Sequence, residues 1–381
     1  MRHYRFFSLM FVTVLFSAFV GCKNETTGNS DIQRQSYVSP SADSAYFQEI
    51  GAQIGLNFNH SIGGNELKNI IESVGGGAAF LDYDNDGYLD IYACSGIWIE
   101  GFSKSDKPEK RAGNKLYRNR QDGTFEDVTE KANVGGLWYS MGVSVADFNN
   151  DGFSDLFLSN YGKNTLLENN GDGTFVDRSK DSGLEGGMEC SVGATWLDYD
   201  NDGLLDLYVG NYLNFDPDYK YYYAPDGFPG PLAYDAQPDH LYHNLGGGAF
   251  EEVTEEMGIS DLDGRAMGVG SADYDHDGYM DICVANDHTV NYMWHNDQGN
   301  GFTDLATLSG TGFSQAGEAT VSMSVDYADY NKDELLDIFI SDDNYCSLYE
   351  NMGNGVFRDN SYASGISVAS GQFVGWSSSF L

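Results

Sequence analysis

An acidic nine-residue phrase, written five times, constrains this chain more than any other feature. It stands in FLDYDNDGYLDIYAC from Phe80, VADFNNDGFSDLFLSN from Val145, WLDYDNDGLLDLYVGN from Trp196, SADYDHDGYMDICVAN from Ser271 and YADYNKDELLDIFISD from Tyr327. The first aspartates, Asp82, Asp147, Asp198, Asp273 and Asp329, are spaced by 65, 51, 75 and 56 residues. A unit of this length that recurs with its parts in fixed order points to a stacked repeat architecture.

The flanks say which one. A small-residue segment such as GGGAAFL, SMGVSVA or AMGVGSA precedes each phrase, and an apolar run such as LDIYAC follows it. Then comes a hairpin, as in NKLYRNRQDGTFEDVT or NTLLENNGDGTFVDRS, with turns rich in Gly, Asn and Asp. Each unit therefore predicts four antiparallel strands, with no long amphipathic helix. Four strands per unit, arranged radially so that sheet edges stay hidden, describe an all-β propeller with five full blades and the first strand of a sixth. A parallel β-helix is the structural alternative, but its coils are shorter and need no paired hairpins. AYFQEIGAQIGL at Ala45 matches the fourth-strand segment AFEEVTEEMGI at Ala249, so it is expected to complete the last blade of a closed ring.

In the first phrase Asp82, Asp84 and Asp86 alternate, Gly87 permits a sharp turn, the Tyr88 carbonyl can face inward, and Asp90 adds a carboxylate. This many hard oxygen donors suits calcium, whereas magnesium prefers fewer protein groups. The same set recurs as Asp147, Asn149, Asp151, Phe153 and Asp155; as Asp198, Asp200, Asp202, Leu204 and Asp206; and as Asp273, Asp275, Asp277, Tyr279 and Asp281. The fifth, Asp329, Asn331, Asp333, Leu335 and Asp337, has Glu334 where the others have glycine, and a distorted loop is expected. An EF-hand is excluded: its twelfth residue is Glu, but Ala93, Leu158, Val209, Val284 and Ile340 stand there, and a strand follows instead of a helix. Solvated acidic turns would not keep one spacing and one set of apolar flanks through five copies. Two carboxylates about 4 Å apart repel by roughly 4 kcal/mol at an effective dielectric near 20, so empty loops should strain the fold. At about 0.1 mM affinity, about 1 mM calcium would add roughly 1.4 kcal/mol per site, or about 7 kcal/mol over five. That is comparable to the whole stability of a domain.

The chain has 381 residues, with 20 Lys plus Arg against 58 Asp plus Glu and a formal charge of -38. Such a surface repels nucleic acid and suits cations. MRHYRFFSLMFVTVLFSAFVGC reads as an export signal over residues 1–21, with Gly21-Cys22 similar to a bacterial lipobox and Cys22 as the lipidation site. An ordinary secretory signal is the alternative, and both place the protein outside the cytoplasm, in the cell envelope if anchored. Residues 22–44 are polar and aperiodic, as in a flexible tether, and the propeller region spans 45–381. Cys94, Cys190, Cys283 and Cys346 are too scattered for a disulfide framework and are expected as buried free thiols.

Together the D-x-[DN]-x-D-[GE]-x-x-D copies resemble the FG-GAP or VCBS-type repeats of integrin-like propellers. The order of the parts is most similar to bacterial relatives of the cartilage acidic protein family. The resemblance covers roughly Ala45 to Leu381. It implies a seven-bladed calcium-binding propeller, often followed by a small ASPIC/UnbV domain that is not expected within these residues, and no agreed catalytic residues.

Two long insertions fall between second and third strands, which puts them at the end of the blades opposite the acidic loops. The first starts at Ser95 and carries Trp98, Lys104, Lys107, Lys110 and Arg111; the second starts at Tyr212 and carries Phe215, Tyr219, Tyr221, Tyr222, Tyr223, Phe228 and Tyr234. Aromatics on a stiff loop can stack on sugars or anchor a protein partner, and Trp98, Tyr219, Tyr221, Tyr222, Tyr223 and Phe228 are the candidates. The structural alternative is that these rings cover a neighbouring blade. A calcium-stabilised envelope module binding glycan or protein is the favoured reading. The rival is an envelope enzyme, a polysaccharide-active hydrolase or redox propeller. For catalysis His60, His240, His243, His276, His288 and His295 are available, but His243 and His295 hold equivalent repeat positions. Finally, GWSSSFL at Gly375 matches the residues that precede each first aspartate, so the chain is expected to stop one residue short of a sixth loop, as a truncated product; a naturally open five-blade arc is the alternative.

Overall fold

The computed structural model describes residues 48–103, 107, 113–219, 227–260, 263–371 and 373–380. These divide into two units, 1–57 and 58–381. Within the first, a helical turn at Gly51–Ile54 is closed by Gly55 at φ 89°. It matches the helical turns that follow fourth strands elsewhere, such as Thr129–Ala132, closed by Asn133 at φ 60°. Gln48 to Ile50 carry no strand, and the rest of the expected fourth strand lies outside the described residues. Cys22, the leader and the tether lie there too.

The second unit is all-β: five four-stranded antiparallel sheets, each ordered as its strands occur in the sequence. They are blades one to five, spanning 78–127, 140–177, 191–252, 266–304 and 322–359. In blade two the strands are Ser140–Ala146, Asp155–Asn160, Thr165–Asn169 and Phe175–Asp177. The first strands of successive blades lie side by side, as in a propeller whose innermost strands line the axis. This explains their small residues: a Cβ on Gly142 would stand 2.3 Å from the Val192 carbonyl oxygen, and one on Gly268 2.6 Å from the Ser324 Cα. All six residues of the second strand are buried in blades two, three and four, because neighbouring blades cover both faces. Fourth strands bury only their leading phenylalanine, as at Phe175, Phe250 and Phe302.

Four apolar clusters fill the gaps between adjacent blades, including Tyr83 with Phe175, and Phe148 with Phe250. In the first four acidic phrases the aromatic second residue packs on the fourth-strand phenylalanine of the next blade. Ring centroids are 6.4 Å apart for Tyr83 and Phe175, 5.9 Å for Phe148 and Phe250, 6.1 Å for Tyr199 and Phe302, and 5.6 Å for Tyr274 and Phe357. A fifth cluster gathers Met141, Val192, Met267 and Met323 from the first strands with Tyr212, Leu213 and Tyr234 from the second insertion. Cys94, Cys190, Cys283 and Cys346 are buried and free, as expected. At the tail, Ser378 Oγ lies 2.7 Å from Ser324 Oγ and Phe380 packs on Phe339, beside the first strand of blade five. Among the described residues no helix is long and apolar enough to cross a membrane.

Candidate metal centres on the acidic-loop face

Each acidic phrase forms the loop between first and second strands, and its own side chains fold it. In blade one Asp82 accepts the Asp86 N–H at 3.0 Å and the Gly87 N–H at 2.9 Å, one on each carboxylate oxygen. The pair recurs at Asp147, Asp198, Asp273 and Asp329, with lengths between 2.8 and 3.1 Å. The fifth residue then accepts the N–H of the seventh, as Asp86 does from Tyr88 at 3.1 Å and Asp202 from Leu204 at 2.8 Å. The turn needs left-handed backbone at its sixth residue: Gly87, Gly152, Gly203 and Gly278 have φ between 86° and 93°. Glu334 takes the same conformation at φ 72°, so the fifth loop keeps the shape and carries the strain of a side chain there.

What the loops can bind follows from their donors. Carboxylate oxygens of Asp82, Asp84 and Asp86 lie within 4.8 Å of one another, as do those of Asp198, Asp200 and Asp202, and of Asp273, Asp275 and Asp277. The second and fifth loops supply two aspartates and an amide, Asn149 or Asn331. Asp84 Oδ1 is shielded from water and accepts no hydrogen bond, an arrangement a cation would complete. An oxygen-only set fits a hard divalent ion.

The ninth-position aspartates take a further role. Asp206 is fully buried; its Oδ2 accepts the Tyr199 N–H at 3.1 Å and its Oδ1 the Asn244 N–H at 2.8 Å. Asp90, Asp155, Asp281 and Asp337 make the same two bonds. Each thus clasps the loop to the third strand, leaving only further lone pairs for a cation. Burial is the main cause of their raised pKa values, pushing Asp90 up to about 6 and Asp155 up to about 7, and Asp206, Asp281 and Asp337 upward too.

Sequence reasoning missed the residues that tie one loop to the next. At the fourth position, Asn85 Nδ2 donates to the Gly152 carbonyl at 2.9 Å, Asn150 to Gly203 at 3.0 Å and Asn201 to Gly278 at 3.1 Å. In the opposite direction, third-strand asparagines reach back to the preceding loop: Asn169 to the Tyr83 carbonyl at 2.9 Å, Asn244 to Phe148 at 2.9 Å, Asn296 to Tyr199 at 2.8 Å and Asn351 to Tyr274 at 2.8 Å. The signal was an asparagine recurring at fixed offsets.

One third-strand position, just before that asparagine, differs between blades and faces the loop. Arg118 pairs with Asp84 at 2.7 Å and Asp86 at 3.2 Å. Glu168 and Glu350 are paired instead with Arg178 and Arg358. His243 and His295 place Nδ1 3.1 Å from Asp206 and Asp281 respectively.

At the other end of the blades, the aromatics of the second insertion divide. Tyr212 and Tyr234 are buried, Phe228 and Phe215 pack against the fifth cluster, and Tyr219 is 45% exposed, with its ring 5.4 Å from Tyr234. In the first insertion Trp98 is half-buried beneath the Lys107 ammonium, 5.1 Å from the ring centroid. Tyr221, Tyr222, Tyr223, Lys104, Lys110 and Arg111 lie outside the described residues. Asp287, 4% exposed, accepts the Tyr212 hydroxyl at 2.6 Å and meets His288 Nδ1 at 2.7 Å.

With this geometry in hand, the chain can be set beside known proteins. Its sequence is 35% identical over 89 residues to human cartilage acidic protein 1, covering 23% of this chain and 14% of that protein. To the Xenopus tropicalis protein of the same name it is 25% identical over 187 residues, 46% of this chain and 25% of that one. The match therefore spans a quarter or less of either relative. Among solved structures, an Agrocybe aegerita lectin described as specifically recognising non-reducing terminal N-acetylglucosamine has 17% identity and a TM-score of 0.44, covering 74% of this chain and 64% of the lectin. The V. cholerae biofilm matrix protein Bap1 has 12% identity and a TM-score of 0.38, covering 74% of this chain and 38% of Bap1. The model of the FG-GAP-like repeat matches residues 82–158, 147–209, 226–284 and 273–340, each segment ending on the second strand that follows an acidic loop. These segments take in more than half of the sequence, and the chain belongs to the FG-GAP-like repeat family.

Proposed function

We propose that this chain is an exported, calcium-stabilised propeller that serves as a cell-envelope binding or adhesion module for a glycan or a protein. Calcium is structural in this reading. It is held by Asp82, Asp84 and Asp86 and by their counterparts in the other four loops, with the ninth-position aspartates contributing from below. The observation that carries it is the linked construction of the acidic face. Loops already folded by their own aspartates, and bonded one to the next through Asn85, Asn150 and Asn201, gather three aspartates within 4.8 Å in blades one, three and four, and in blade one leave Asp84 Oδ1 short of a partner. An ion there stabilises a scaffold, whereas recognition is left to the end that bears the insertions. The leader and Cys22 support export and lipid anchoring.

The test is binding by purified protein to glycan arrays and to envelope-protein extracts in calcium. Replacing Tyr219, Tyr221, Tyr222 and Tyr223 by alanine is expected to abolish a saturable interaction without changing the melting temperature. Binding that survives this replacement, and that of Trp98, would remove the insertions from the account.

One observation favours a second reading. Buried Asp287 orients the half-exposed His288, with Tyr212 on its other oxygen, at the end opposite the acidic loops. An imidazole held in this way can act as a general base. Turnover of a polysaccharide or redox substrate by purified protein, lost in His288→Gln, would select the enzyme over the module.

A further inference from the structure

Blades three and four differ from the others in what their third strands present to the loop. In blade three, His243 Nδ1 lies 3.1 Å from Asp206 Oδ1 and 3.8 Å from Asp200 Oδ2. In blade four, His295 Nδ1 lies 3.1 Å from Asp281 Oδ1 and 3.5 Å from Asp275 Oδ2. In each triad one donor atom per residue falls within 4.8 Å of the other two. The corresponding residues in blades one, two and five are Arg118, Glu168 and Glu350, none of which supplies a neutral nitrogen donor.

We propose that these two triads, His243 with Asp200 and Asp206 and His295 with Asp275 and Asp281, are transition-metal sites with zinc-type preference, distinct in chemistry from the oxygen-only loops above them.

Three considerations lead there. The first is spacing. Nitrogen and oxygen donors bonded to one zinc at about 2.0–2.1 Å stand roughly 2.8–3.4 Å apart, from octahedral to tetrahedral angles. The 3.1 Å edges of both triads, hydrogen bonds without a metal, already have that length; the 3.5 and 3.8 Å edges and the carboxylate–carboxylate edges, within 4.8 Å, close by an inward turn of Asp275 and Asp200. The second is donor type. Calcium and magnesium take oxygen, whereas imidazole suits zinc, copper, nickel and iron, so a histidine among carboxylates shifts preference toward those ions. The third is orientation. Buried aromatics brace both rings edge-on, Tyr199 at 5.7 Å from His243 and Tyr274 at 6.2 Å from His295. Asp206 and Asp281 are fixed by the backbone N–H groups of Asn244 and Asn296. Ligands held by such outer bonds need little rearrangement to accept an ion. Three protein ligands leave a coordination position open to water or to a donor from a partner.

Asp200 and Asp275 also belong to the oxygen cages, and Asp206 and Asp281 are the ninth-position aspartates assigned to calcium above, so the triads share both their carboxylates with the proposed calcium sites, yet they do not require calcium there. The experiment keeps the two claims apart. Full-length protein is titrated with Co²⁺ as a coloured stand-in for zinc, with and without calcium because the two kinds of site share carboxylates, and the same is done for the H243Q/H295Q variant. The expected result is two more equivalents of Co²⁺, displaced by Zn²⁺, in the wild type than in the variant, and the same calcium-dependent melting shift in both. Equal Co²⁺ binding by the variant, or none by the wild type, would overturn the inference. If calcium leaves melting unchanged while the two Co²⁺ equivalents depend on the histidines, the structural-calcium reading fails and this one stands. Should the variant not fold, histidine carbethoxylation of the wild type decides: Zn²⁺ is expected to protect His243 and His295 but not His288, and unprotected His243 and His295 would overturn it.

Discussion

At the acidic-loop end, Asp82, Asp147, Asp198, Asp273 and Asp329 make the same two backbone bonds, and each gap between described blades is crossed by an asparagine. At the opposite end, Tyr212 reaches from the insertion of blade three to Asp287 of blade four, and the buried Arg265 donates to the Pro231 and Tyr234 carbonyls; no other blade repeats either contact among the described residues. Repetition gives the first end a scaffold in which any one link has neighbours of the same kind. The second end is built from contacts used once, the sort of surface on which one repeat protein can differ from another.

Substitutions sharpen that contrast. Asn244 Nδ2 donates to the Phe148 and Leu205 carbonyls, and its Oδ1 accepts the Gly246 N–H, all at 2.9 Å. Asn244→Ala should therefore cost about 3 kcal/mol in chemical denaturation, and Asn169→Ala and Asn296→Ala about the same. A cost under about 1 kcal/mol for all three would break the account of the loop face. Tyr212→Phe at the opposite end leaves a buried Asp287 oxygen one donor short and should cost about 1–2 kcal/mol, with no effect on calcium affinity. An altered calcium response in that variant would mean that the two ends are coupled. The smallest effect belongs to blade one, where Arg118 already sets positive charge against Asp84 and Asp86. Arg118→Gln should tighten calcium at that loop by roughly fivefold, about 1 kcal/mol, seen by titration calorimetry. Unchanged affinity would show that the guanidinium does not compete with the ion.

Much of the loop face was legible because its parts recur at fixed offsets. Strand order, the turn at Gly87 and its counterparts, and the alternating aspartates all follow from the period. The links from Asn85 to Gly152 and from Asn169 to Tyr83 were not legible, since a partner 67 or 86 residues away becomes visible only when blades are placed side by side. Asp90 and its equivalents look like simple ligands in sequence, because spacing does not reveal that both oxygens already hold backbone N–H groups. The residue before the hairpin asparagine drew attention only as a histidine in two blades. Its significance lies in the contrast with Arg118, Glu168 and Glu350, which depends on knowing that the position faces the loop. In the second insertion, composition alone cannot separate Tyr234, which closes the core, from Tyr219, which stands at the surface.

The central claim is that divalent ions complete the acidic face and hold the propeller together. Thermal melting of the purified protein in about 1 mM calcium and in excess EGTA tests it most directly. Five sites contributing about 7 kcal/mol in total should raise the melting temperature by roughly 10 °C or more in calcium, and the gain should shrink when Asp198, Asp200 and Asp202 are replaced together by asparagine. Identical melting curves with and without calcium would contradict the account.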